Sequence, residues 1–304
     1  MPDGTDRTPE PDRMPYGVHP GPHGPDPTPH DSPGPGRAPH GSHEPGGALR
    51  GKVAVVTGAG PGLGRTLARL MTAEGASVVV AARTAATVEK IAAEVPGTLA
   101  VSADVTSARD MESLAATVAD RLGGPDILVN AAFPGTHRKN VLEMTLDDLA
   151  SWRTAVDIGA YGTLLACRFL APLMVERGEG AIVNVTSMSS RKGYAGRSDF
   201  AAGKAAAHLL SHCLADELGP YGVRVNCVAP GWIASEVLDD WMRTRAAAEG
   251  VAYEDILARD VSAMALRRIA TEEDVTRAII FLASDRARSI TGATLDVNAG
   301  QLFT

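Results

Sequence analysis

The stretch Lys52-Val-Ala-Val-Val-Thr57, continued by Gly58-Ala-Gly-Pro-Gly-Leu-Gly64, decides how the rest of the chain is read. Its first part is apolar and rich in β-branched residues, as a buried strand requires. Its second part alternates glycine with other residues, and helical periodicity follows to about Glu74. A strand, a glycine-rich turn and a helix together let backbone amides and the positive end of a helix approach a pyrophosphate. Gly58, Gly60, Pro61, Gly62, Leu63 and Gly64 are therefore expected to contact a nucleotide.

Outward from this turn the same unit recurs. Further short apolar runs read as strands: Ser77-Val-Val-Val-Ala-Ala82, Thr98-Leu-Ala-Val-Ser-Ala-Asp104, Asp126-Ile-Leu-Val-Asn130, Ala181-Ile-Val-Asn-Val-Thr186, Val223-Arg-Val-Asn-Cys-Val228 and Thr294-Leu-Asp-Val297. Helical periodicity covers about 84–95, 107–122, 146–176, 199–218, 236–247, 253–263 and 271–283. Strands apolar on both faces belong in a parallel sheet covered by helices on both sides. The alternation predicts an α/β, doubly wound, mostly parallel seven-stranded sheet, with ligand at the carboxyl ends of the strands. No internal repeat and no second domain is visible across 48–304.

Residues 1–47 are of another kind. Pro, Gly, His and Asp dominate them, as in Pro20-Gly-Pro-His-Gly-Pro-Asp-Pro-Thr-Pro29. So little apolar surface cannot offset the entropy of ordering, and a disordered tail is expected. Its five histidines (His19, His23, His30, His40 and His43) have no rigid ligand geometry, so no metal site is expected. The tail lacks the basic start and apolar run of a signal peptide. No run approaches the roughly 18 consecutive apolar residues of a membrane span.

The net charge is −7, and the tail's seven acids and three bases leave the remainder at −3. That balance argues against nucleic acid as a partner. Cys167, Cys213 and Cys227 form no CxxC pair, which suits reduced thiols in a cytoplasmic protein. At the tip of the second strand stands Arg83, followed by Thr84, where a carboxylate would select NAD; a guanidinium suits the 2′-phosphate of NADP instead. NADP(H) is therefore expected over NAD(H).

The spacing Gly58-x-x-x-Gly62-x-Gly64 resembles the short-chain dehydrogenase/reductase family, and the resemblance recurs from about residue 50 to 304. It implies a Rossmann-type fold. Asp104-Val105 looks like the family's adenine-contacting pair, and Asn130-Ala131-Ala132-Phe133 looks like its Asn-Asn-Ala-Gly motif. Pro230-Gly231, with Ile233 and Ser235, resembles the loop that holds the nicotinamide carboxamide. Thr291-Gly292 and Asn298-Ala-Gly300 resemble the C-terminal signature. The resemblance also implies a homo-tetramer, or failing that a homodimer, built on the long helices 146–176 and 199–218.

The family's reaction centre holds Asn, Ser, Tyr and Lys. Ser187 maps onto the serine and Lys204 onto the ribose-holding lysine, four residues past position 200. Position 200, however, is Phe200, where the acid tyrosine would stand. Gly159 stands at the Asn position, Ala131 replaces the second Asn of the fourth-strand motif, and Phe133 replaces its Gly and is expected to narrow the nicotinamide pocket. These additional departures favour natural divergence over an engineered Tyr→Phe exchange.

Three readings follow. Hydride transfer that needs no tyrosine suits an iminium or a conjugated C=C; the dienoyl-CoA reductase branch resembles this chain in lacking the Tyr. A substitute acid would be Tyr194 or, less well placed, Asp199 at a helix start. A non-redox cyclase, dehydratase or scaffold would hold the cofactor without consuming it. The substrate pocket is expected to be capped by a lid at about 232–260, with Phe133, Ser189, Tyr194, Trp232, Leu238 and Trp241 as contacts for a bulky apolar molecule, such as a secondary-metabolite intermediate.

Overall fold

The computed structural model describes residues 47–303 except Pro134, Thr136 and His137. The expectation for the 1–47 tail therefore falls, save for Gly47, outside the described residues.

From its amino end the chain runs β1 (Val53–Thr57), α1 (Leu63–Ala73), β2 (Ser77–Ala82), α2 (Ala85–Glu94), β3 (Leu99–Ser102), α3 (Ala108–Leu122) and β4 (Ile127–Asn130). It continues with α4 (Leu146–Val156), a π-turn at Asp157–Tyr161, α5 (Gly162–Val175), β5 (Gly180–Val185), α6 (Ser198–Leu218) and β6 (Val223–Pro230). Helices α7 (Glu236–Glu249) and α8 (Tyr253–Ser262), which fall in the segment expected to form a lid, then α9 (Glu272–Ala283) and β7 (Thr294–Val297), complete it.

The seven strands form one sheet in the order β3-β2-β1-β4-β5-β6-β7, every pair parallel. Chain direction across the sheet reverses between β1 and β4, so a crevice opens there at the carboxyl ends of the strands. β3 stops at Ser102, short of the Asp104 expected from sequence, because Asp104 turns the chain: its Oδ1 accepts from the amide (2.9 Å) and hydroxyl (2.7 Å) of Thr106. β6 runs on to Pro230, two residues past its expected end.

The side-chain period of two divides the core into layers. Ala54, Val56, Val78, Val80, Ile127 and Val129 face α1 and α9, meeting Leu67, Met71, Val275 and Ile279. Val55, Val79, Leu128, Ile182 and Val225 face the other way, onto Leu114, Val118, Leu165, Leu170 and Met174 of α3 and α5. Truncating one of these fully buried leucines to alanine should cost about 2–5 kcal/mol.

The continuous helix Leu146–Val175 is long and apolar enough to cross a membrane, but half of its most apolar window is buried inside the fold. Its C-terminal part is a core helix, with Leu165, Leu170 and Met174 turned to the sheet, while Leu146, Leu149 and Leu164 stay exposed. The lid has a small core of its own in Leu238, Met242, Ala246 and Ile256.

Candidate active site

The crevice at the switch point is made largely of backbone. Gly58 follows β1 with φ +70°, and a Cβ there would lie 2.2 Å from the Cα of Ala132 in the loop after β4. Only glycine lets the two loops come this close. A Cβ on Gly64 would lie 2.5 Å from the Cα of Ala59, so α1 can start directly against the turn. Gly60 has open space where its Cβ would be.

The first turn of α1 has no side-chain cap, whereas Ser107, Thr145, Ser235 and Thr271 cap α3, α4, α7 and α9. The Arg65 amide donates to the Gly60 carbonyl (3.0 Å), so the amides that a bound anion could meet here are those of Leu63 and Gly64, which no side chain caps. Arg83 and Thr84, directly after β2, are exposed, and the Thr84 hydroxyl does not cap α2. A neighbouring cleft of about 210 Å³ lies between the turn and α2, lined by Pro61, Arg65, Thr87 and Lys90. The cations Arg65 and Lys90 were not singled out from sequence; their one signal was position, one turn into each helix that starts at the crevice.

Lys204 projects from α6 into the same region and is buried. Its Nζ donates to the carbonyls of Val185 (2.7 Å) and Ala132 (3.1 Å), which leaves one of three N–H donors for a ligand hydroxyl. Burial pushes its pKa down to about 8, against a weaker upward pull from Cys227. Backbone clearance, orphan amides, exposed cations and a half-satisfied buried lysine together fit a dinucleotide.

Residues 58–301 match the model of a family described as enoyl-(acyl carrier protein) reductase. The chain belongs to the short-chain dehydrogenase/reductase family. The short-chain reductase protein NovJ of Streptomyces niveus is 33% identical over 253 residues, covering 82% of this chain and 93% of that one. The meso-2,3-butanediol dehydrogenase of Serratia marcescens is 34% identical over 252 residues, covering 82% and 94%. A solved structure described as a short-chain dehydrogenase/reductase from Burkholderia xenovorans superposes with a TM-score of 0.76 at 30% identity, over 84% of this chain and 98% of that one. The family is one of NAD(P)-binding oxidoreductases.

The residues that the sequence maps onto the family's reaction centre lie at the other end of the crevice. Ser187 ends the β5 segment, and its Oγ accepts from the amide of Ser189 (3.1 Å), so its own proton points elsewhere. Phe200 lies on the first turn of α6, one helical turn before Lys204, and is 6% exposed. Its ring meets Phe133 edge-on at 5.4 Å. Phe133 is itself more than half exposed and forms an outer wall rather than a plug.

Gly159 lies in the π-turn, packed on α6. A Cβ there would stand 3.0 Å from the Cα of Gly203, and one on Gly203 would stand 3.1 Å from the carbonyl oxygen of Ala155. The two helices cross backbone to backbone, and this contact takes the space an asparagine side chain would need. Thr163 donates to the Gly159 carbonyl (2.8 Å), satisfying an acceptor that the π-turn displaces.

The substitute acids are placed less favourably. Tyr194 Oη contacts Met188 Sδ at 3.7 Å, and burial raises its pKa above the ordinary tyrosine value, away from neutrality. Asp199 Oδ1 accepts from the amide of Phe200 (2.7 Å), a helix-start role.

Several other sequence-predicted residues are turned inward. Asn130 is engaged on three sides: it accepts from Thr57 Oγ1 (2.9 Å) and donates to Asn184 Oδ1 (2.8 Å) and Cys167 Sγ (3.5 Å). It ties β1, β4 and β5 together, leaving the neighbouring backbone of Ala131 and Ala132 at the crevice. Val105 is buried against the position where a Gly162 side chain would be. Ser189 is buried, and Leu238 packs in the lid core. Pro230 ends β6 and Gly231 lies against Asn298 and Gln301, while Ile233 bridges to Ala270 and Ser235 caps α7, so this loop is tied to the C-terminal segment. Trp232 and Trp241 pair edge-on at 5.3 Å and line the lid.

Proposed function

We propose that the protein is an NADP(H)-dependent reductase acting on a conjugated C=C or a C=N, and poorly on an isolated carbonyl, of a bulky and largely apolar molecule. The observation that carries this reading is Phe200: a buried aromatic ring at the acid position, with Ser187 and Lys204 retained on either side.

Bound NADPH would supply hydride to the electrophilic carbon. Lys204 would hold the nicotinamide ribose with its remaining N–H, and the turn at 58–64 would hold the pyrophosphate. Arg83, exposed directly after β2, supports a 2′-phosphate. Ser187 would donate its hydroxyl proton in a hydrogen bond to the substrate's conjugated oxygen, polarising the π-system without surrendering the proton. Phe200 has no proton to give. An iminium needs none, and an enolate can take its proton from water later, whereas an isolated ketone meets the full barrier of an uncatalysed protonation.

Phe133, Trp232 and Trp241 would form the apolar surface of the pocket. Exposed Leu146, Leu149, Leu164 and Leu209 on the long helices support self-association into a dimer or tetramer.

The test is single-turnover oxidation of bound NADPH against matched imine, enone and ketone panels, after NADPH and NADH titrations. The expected result is tighter NADPH binding, with oxidation by imines or enones at least about 100-fold faster than by the matched ketones. Equal rates on all three would overturn the reading, and binding without oxidation by any would point to a non-redox role.

A further inference from the structure

Three arginines from separate segments converge beside the lid: Arg138 after β4, Arg197 just before α6 and Arg245 on α7. The guanidinium carbons of Arg138 and Arg245 lie 4.2 and 4.6 Å from the ring centre of the same indole, Trp241. Arg197 lies 5.0 Å from the centre of the Phe200 ring, the residue at the acid position. The backbone of Arg138 packs on Gly196, where a Cβ would come within 3.2 Å of it, so Arg138 and Arg197 are held side by side.

Their partners differ. Arg245 is neutralised by Asp260 at 2.5 Å and Glu249 at 3.8 Å, and its stacking on Trp241 is explained by lid packing alone. Arg138 and Arg197 form no ion pair among the described residues. Arg197 Nε is buried with no hydrogen-bond acceptor. Asp199 offsets part of the Arg197 charge through space, while its Oδ1 is occupied by the Phe200 amide. Arg138 is exposed overall, but partial covering of its guanidinium, followed by the charges of Arg197 and Arg245, lowers its pKa, consistent with a site where positive charge has accumulated. Gathering like charges and leaving a buried donor unmatched both cost stability, and a bound anion would remove both costs.

We infer that Arg138 and Arg197 form an anion-recognition site at the mouth of the cleft, taking a carboxylate or phosphate borne by an otherwise apolar substrate whose body rests on Phe133 and Phe200. This rests on the pocket assignment made above and narrows it: the substrate is amphiphilic, with its charged head held by the two guanidiniums and its reacting group directed towards Ser187. The planar fork of arginine suits either oxyanion.

The experiment uses isosteric probes, 2-naphthoate and 2-naphthamide, titrated into the NADPH-saturated protein and followed by calorimetry and tryptophan quenching. Naphthoate should bind at least about tenfold more tightly than the amide, as expected for a charge-assisted hydrogen bond. Arg138→Gln and Arg197→Gln should each remove most of that preference while leaving NADPH affinity unchanged. Arg138 is exposed, so its variant tests the site even if Arg197→Gln does not fold. Inorganic phosphate should compete with naphthoate but not with the amide. Equal binding of the two probes, or an equal loss of both in Arg138→Gln, would overturn the inference. A protein that binds no NADPH defeats the reductase reading alone; the same probe pair is then titrated into the free protein, with the same two outcomes.

Discussion

The two walls of the crevice are built from different material. The nucleotide wall, from β1 through α1 to the loop after β4, is formed mostly by main chain: Gly58 against Ala132, Gly64 against Ala59, and the uncapped amides of α1. The proposed reacting wall, from the π-turn through α6 to α7, is formed by side chains, among them the Phe133–Phe200 pair. A main-chain site tolerates little change, because a single Cβ closes it. A side-chain site can be altered one atom at a time while the scaffold stays intact. The contrast fits the proposed reading, in which main chain holds the cofactor and hydride transfer proceeds without the usual tyrosine.

Four substitutions sharpen or break that contrast. Phe200→Tyr is expected to have the largest effect, raising single-turnover ketone reduction about 10²–10⁴-fold, because the general acid is restored beside an intact Ser187 and Lys204. No gain would mean that the reacting wall differs by more than an oxygen atom. Gly58→Val places a Cβ in the space held by Ala132 and a β-branched residue at positive φ. NADPH affinity, read by fluorescence titration, should fall at least about 100-fold, the combined effect of strain and a blocked crevice. Retained affinity would show that the nucleotide wall is not built of main chain at this point.

The third concerns Lys204 and pH. Its folded pKa of about 8 lies below the ordinary 10.5, so between these values the unfolded chain holds more protons than the folded one. Stability without nucleotide should therefore rise with pH across that window, and below pH 8 the full penalty of the buried charge, about 3 kcal/mol, is present. Urea unfolding at pH 7.5, 9 and 10 should show this rise in the wild type and lose it in Lys204→Met. An unchanged slope would mean that the ammonium is not desolvated in the folded state. The smallest effect is expected of Tyr194→Phe, less than about twofold in enone-dependent NADPH oxidation, since its raised pKa and thioether contact suit packing more than proton donation. A drop of an order of magnitude would instead make Tyr194 the relocated acid.

The same division governs what could be read from sequence. The strands were legible because both their faces are buried, which leaves uninterrupted Val, Ile and Ala runs such as 53–56 and 78–82. The glycine turn was legible because its chemistry depends on lacking side chains, and Lys204 because its spacing from position 200 is fixed by one helical turn. The π-turn at Asp157–Tyr161 was read as ordinary helix, since it arises from the approach of Gly203, over forty residues away in sequence. Asn130 was assigned to the cofactor although its side chain is consumed by Thr57, Asn184 and Cys167, a network visible only once three strands are aligned. Leu238 was assigned to substrate although the lid needs it for its own core. The pairing of Arg138 with Arg197 had no local signal, for the two meet only because the Gly196 loop packs against the segment after β4.

The crossing of Gly159 over Gly203 makes positions 159 and 200 unequal as targets for substitution. Position 200 can exchange Phe for Tyr by a single substitution, because Phe133 beside it faces solvent and can move aside. Position 159 has no such freedom: any side chain there must push the backbone of α6 by a few tenths of an ångström, and α6 also carries Phe200 and Lys204. An asparagine introduced at position 159 would therefore displace the helix that carries the residues it is meant to serve. Of the two exchanges, the fold leaves room for Phe200→Tyr and obstructs Gly159→Asn.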